Sequence, residues 1–192
     1  LYPIPQPDLR WLKQDVSWSL EYREAAVSVF KEWGRDERCL CDAEGHYQFG
    51  GLMWQAFRSL AGPDAEVAGY IGLDRERADS YNHKWATYVH IVDSSRVETP
   101  PAFTSDKLVQ NGRRLDRLGR MVGFYVSNAH QSDRDGLNEH EYIPRETDYG
   151  RPMGFHWFFK RRAGMQRAIT SLATSLRGIN MLDKFNDALL QS

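Results

Sequence analysis

The chain has only two cysteines, Cys39 and Cys41, with one residue between them. That spacing excludes a disulfide framework and predicts free thiols in a reducing intracellular compartment, the cytoplasm. A zinc site on Cys-Leu-Cys would need two further ligands, so no metal is expected. No apolar run reaches the roughly 18 residues of a membrane-spanning helix, and no membrane partner is expected. The opening LYPIPQPDLR has neither the basic start nor the apolar stretch of a signal peptide. Residues 1–7 read as an N-terminal arm.

Signatures of common enzymes are missing as well. Phe49-Gly50-Gly51 lies in an apolar pattern without the lysine of a phosphate-binding loop. There is no Gly-x-Ser-x-Gly elbow, no His-Glu-x-x-His pair and no calcium-loop pattern. No cofactor is expected. Internal repeats and low-complexity segments are also absent.

What is present suits a globular protein. Hydrophobic residues make up 41% of the 192 and charged residues 27%, with six Trp, nine Tyr and nine Phe that need burial or a partner. The length suits one domain spanning residues 1–192. The net charge of −1 conceals a division: residues 1–100 hold 11 Lys and Arg against 16 Asp and Glu, and residues 101–192 hold 14 against 10. Of the 25 basic residues, 19 are Arg, the side chain suited to two-pronged contact with phosphate or carboxylate.

Periodicity predicts a mainly α protein, an irregular bundle of about five helices with room for one or two short strands. The first helix runs from Asp8, as its cap, to about Trp33, with apolar stripes on two sides. The second covers about His46 to Ala61 and stops at Gly62-Pro63. A third is expected from Asp64 to about Tyr81. Residues 85–93, WATYVHIVD, fit strand or helix. After the Pro100-Pro101 linker, a fourth helix is expected from Thr104 or Ser105 to Tyr125. Its wheel gathers Leu108, Leu115, Leu118, Val122 and Tyr125 on one side and Arg113, Arg117 and Arg120 on the other. Residues 127–152 read as a long polar loop that could hold a short strand at HEYIP. A last helix from about Gly154 to Leu190 carries a 4-3-4-3 seam of Met165, Ile169, Leu172, Leu176 and Ile179.

Two short patterns resemble catalytic ones. Arg77 and His83 have a spacing similar to that of HEPN-type ribonucleases. Glu139-His140-Glu141 resembles the Glu-x-Glu loop of ADP-ribosyltransferases, although those enzymes usually end soon after that loop and here some fifty residues follow.

The leading expectation is a non-catalytic protein that assembles with itself or a protein partner and contacts a polyanion, RNA or DNA, in the manner of a coat protein or nucleoprotein. The phosphate contacts are expected from Arg113, Arg117, Arg120, Lys160, Arg161, Arg162 and Arg167, with Trp157 stacking on a base. The alternative is an enzyme, a nuclease or transferase, working through residues 127–150 with Glu139, His140 and Glu141.

Overall fold

The computed structural model describes residues 5–8, 12–13, 15–80, 82–128, 139–170, 175, 178–182 and 184. It shows a mixed α/β protein and overturns the expectation of a mainly α bundle. Helices α1 (Val16–Gly34) and α2 (Phe49–Ala61) are followed by strand β1 (Glu66–Leu73), the short helix α3 (Arg75–Ser80) and strand β2 (Thr87–Val92). Two 3-10 turns, Ser94–Arg96 and Pro101–Phe103, lead into β3 (Val109–Gln110), β4 (Arg113–Leu115), β5 (Met121–Ser127), β6 (His140–Pro144) and β7 (Gly154–Phe158). The sheets have the orders β2-β1-β7 and β3-β4-β5-β6. Two compact units emerge, Leu1–Met53 with Gly72–His90, and Trp54–Ile71 with Ile91–Ser192.

In the first unit, the cap of α1 lies about two turns beyond the expected one. Asp15, not Asp8, accepts the orphan amide of Trp18 at 2.9 Å. The doubly apolar helix is not buried on both sides, because Val16, Leu20, Tyr22 and Val29 stay exposed. Its C-terminal end is held by a ring cluster: Phe30, Trp33 and Phe49 have centroids 5.0–5.5 Å apart. Gly34 permits this approach, since a Cβ there would stand 3.1 Å from Phe49 Cβ. The buried Asp42 carboxylate accepts the backbone amides of Glu44, His46 and Tyr47, which fixes the turn before α2. Arg77 donates to the carbonyls of Asp42 and Ala43, while His83 meets Arg38 at 3.1 Å. The ribonuclease-like pair is therefore committed to different partners.

Both cysteines are free thiols. Cys41 is wholly buried, and burial pushes its thiol up to about 11. Cys39 is partly exposed. A thiol reagent should therefore titrate one equivalent rapidly in the native protein and the second only after denaturation, because the thiolate is the reactive form. Two fast equivalents at neutral pH would contradict this packing.

In the second unit, the segment expected as the fourth helix is cut into hairpins. Asn111 and Gly112 both have positive φ, 52° and 80°, as the two-residue turn between β3 and β4 requires. A side chain at Gly112 would also strike backbone, with its Cβ 2.7 Å from Glu98 N. Asp116 accepts the amides of Leu118 and Arg120, and Gly119 at φ 80° completes the β4–β5 turn. β5 is then flanked by β4 and β6, with Phe124 opposite Arg113 on one side and Ile143 on the other. Phe124, Val126, Ile143, Val97, Val92, Leu115, Met121 and Ala68 form the core.

The third and last expected helices are also corrected. Gly69 and Gly72 weaken a helix over 64–81, and Glu66–Leu73 pairs instead as β1 with β7, Glu66 facing Phe158 and Ala68 facing His156. Gly154–Phe158 is strand, and among the described residues of this segment helix appears only at 175, 178–182 and 184. Of the expected seam, Met165 is buried while Ile169 and Ile179 are exposed. Leu172 and Leu176 lie outside the described residues, as do residues 1–4 of the expected arm. The HEYIP expectation holds: it is β6.

Candidate functional site

The densest polar arrangement of the second unit is built on the β1–β7 pair. Glu66 is buried at the start of β1. Arg167 grips its carboxylate: Nε donates to Oε1 and Oε2 at 2.8 and 2.9 Å, and Nη2 makes a further short contact with Oε1. His156 lies 3.3 Å from Oε2, and the amide of Ala168 donates at 3.1 Å. Burial would raise the Glu66 pKa, but the hydrogen bonds from His156, Arg167 and Ala168 outweigh it and hold the group near about 2. The remaining Arg167 donors go to the carbonyls of Val97, Asn111 and Ser94 at 2.7, 3.3 and 2.8 Å. One guanidinium thus ties together carbonyls of two irregular segments, the Ser94–Arg96 turn with its cap Val97 and the β3–β4 turn.

His156 is itself fully buried, and burial lowers its pKa. A neutral imidazole that serves an ionised carboxylate must carry its proton on Nε2. Nδ1 is then an acceptor, and it has no partner among the described residues. Next to it in the sheet system, Arg113 donates through Nη1 to Gln166 and lies 5.2 Å from the Phe158 ring centroid. Burial lowers the Arg113 pKa to about 10, so it remains charged at neutral pH. Its Nε–H is buried without an acceptor among the described residues.

Arg113 and His156 line a cavity of about 390 Å³ together with Arg120, Arg145, Trp157 and Lys160. Trp157 stacks on Phe155 with centroids 4.6 Å apart. Glu146 is the one acid of the lining, and it pairs with Arg145 at 3.6 Å. A larger cavity of about 460 Å³ in the first unit is lined by Phe30, Phe49 and Met53 and holds none of the expected site residues.

The expected nucleic-acid contacts are therefore dispersed. Arg113, Arg120, Trp157 and Lys160 meet at one cavity. Arg117, Arg161 and Arg162 are exposed and outside its lining. Arg167 is consumed by Glu66. The Glu139-His140-Glu141 triplet does not converge: His140 turns inward to Glu98 at 3.1 Å, and Glu139 and Glu141 are exposed. His130, Asp133 and Asp135 lie outside the described residues. No group of three His, Cys, Asp or Glu that could hold a metal occurs among the described residues. Glu66, His156 and Arg145 escaped sequence reasoning. An acidic residue opening an apolar run, EVAGYIGL, was the available signal for Glu66.

Among the described residues the densest feature is an architectural one, an ion-paired clamp that ties β1 to β7 and to the residues after it. The chain belongs to the phage portal protein family of the lambda type, which it matches over residues 1–192. It is 24% identical over 187 residues to the portal protein of Escherichia phage N15, and 21% identical over 192 residues to portal protein B of Escherichia phage lambda. Each alignment covers 97% of this chain and 34% of the relative, so the chain spans about a third of the length of these proteins. Family membership overturns both functional expectations, the nucleic-acid-binding coat protein or nucleoprotein and the nuclease or transferase. No helix among the described residues is long and apolar enough to cross a membrane.

Proposed function

We propose that this chain is a structural segment of a phage portal subunit, and that the subunit works by joining further copies of itself into a ring, with DNA and other phage proteins as its remaining contacts. The observation that carries this reading is the family match over the whole chain. The surface supports it. Trp54 and Phe57 stack with centroids 5.7 Å apart and are each more than half exposed, and Met53 beside them is half exposed. Adjacent large apolar side chains left in water mark contact surfaces.

Analytical ultracentrifugation over a concentration series tests the self-association. Species heavier than the 22.2 kDa monomer are expected to grow with concentration. Trp54→Ser with Phe57→Ser should weaken association at least tenfold, about 1.4 kcal/mol, without loss of the fold. A chain that stays monomeric at its highest soluble concentration would refute assembly through this segment.

A further inference from the structure

The geometry points to a binding site for a proton-bearing oxyanion of the phosphate class in the cavity between the β4–β5 turn and β7. The reading is independent of portal assembly. Its walls carry four cations, Arg113, Arg120, Arg145 and Lys160, against the single carboxylate of Glu146. Such an excess in one concave space favours a compact anion. A cavity of about 390 Å³ falls within the roughly 300–1,000 Å³ of small-ligand sites.

Two buried side chains of that lining make the ligand class specific. Among the described residues, the Arg113 Nε–H donor has no acceptor and His156 Nδ1 has no partner. Both residues are more than nine-tenths buried. Buried polar atoms are ordinarily satisfied, so each exception calls for an account. Because Glu66 occupies Nε2 as an acceptor, Nδ1 of the neutral ring needs a donor. One group that accepts from a guanidinium and donates to an imidazole is a phosphate that keeps a hydroxyl. Sulfate has the same shape and no hydroxyl at neutral pH. An internal phosphodiester of a nucleic acid also has none, so this site does not restore the discarded nucleic-acid reading. The exposed Arg120, Arg145 and Lys160 supply long-range attraction, and the stacked Phe155 and Trp157 rings bound the cavity on the β7 side.

The test is an amide and side-chain NMR titration of the chain with inorganic phosphate at pH 7, with ionic strength held constant by chloride and sulfate as the matched control. Saturable shifts are expected at Gly154, His156, Trp157 and the Arg113 Nε–H, with sulfate at least tenfold weaker. The double variant Arg145→Gln, Lys160→Gln changes only exposed side chains, so its spectrum should otherwise match the parent, and it should bind phosphate at least tenfold more weakly. The free ion and the end of a phosphate monoester share this chemistry. Phenyl phosphate and phosphate compared at pH 5.5, where a monoester keeps a hydroxyl, separate them. Tighter binding of the ester assigns a monoester, and equal or weaker binding assigns the free ion. Equal affinity for sulfate and phosphate, or shifts scattered over surface lysines and arginines, would overturn the site.

Discussion

Glu66→Ala is expected to lower the unfolding free energy by about 3–5 kcal/mol at pH 7, the range for removing one partner of a buried charge pair. The variant leaves Arg167 with a charge meant for a carboxylate, and it strips His156 Nε2 and the Ala168 amide of their acceptor. It also unfastens the carbonyl contacts that Arg167 makes to Val97, Asn111 and Ser94. Urea titration monitored by tryptophan fluorescence measures the effect, and a loss below about 1 kcal/mol would show that the clamp is not structural. The pH dependence has a definite sign. The carboxyl titrates near 4.5 when unfolded and near about 2 when folded, so the unfolded chain binds protons first as acid is added. Stability from this group is complete above about pH 5 and is lost as the pH falls toward about 2. Glu66→Ala should flatten that part of the wild-type stability profile.

Phe124→Ala is expected to cost about 3–5 kcal/mol, whereas Leu118→Ala should change stability by less than about 0.5 kcal/mol. Phe124 has no solvent exposure and sits mid-strand between Arg113 and Ile143, with Gly154 close enough that a Cβ there would stand 3.1 Å from the ring. Leu118 is 94% exposed at the β4–β5 turn. The pair discriminates between architectures. A helix over 104–125 would bury Leu118 and make its truncation costly, and thermal unfolding of the two variants decides the matter.

Several elements were legible in the residues. α2 was visible from its apolar period and the Gly62-Pro63 stop, and β6 from the β-branched and aromatic HEYIP. The errors share one cause. A helical wheel placed Leu115, Leu118 and Val122 on one side because leucines at those spacings satisfy a 3.6 period whatever the backbone does. Asn111-Gly112 and Asp116 to Gly119 outweigh that period, since each turn supplies backbone conformations and amide acceptors that a continuous helix lacks. The Asn-Gly pair between short β-compatible runs was the readable warning.

The candidate site was half visible. Arg113, Arg120, Trp157 and Lys160 stood out by type, but charge in a sequence carries no depth. Arg113 was expected at an exposed edge and is instead buried beside Phe158, while Arg167 was expected to bind phosphate and instead neutralises Glu66 from 101 residues away.

By itself the sequence determined the local matters: two thiols too close in the chain to bridge each other, the end of α2 at Gly62-Pro63, and the short strand at HEYIP. Tertiary structure alone decided which charges are buried and paired. β1 meets β7 across almost ninety residues, and only that pairing places His156 against Glu66 and closes a cationic cavity beside them. Short-range propensity acts between neighbours in the chain, but the desolvation that makes Glu66, His156 and Arg113 consequential arises only once distant strands exclude water together.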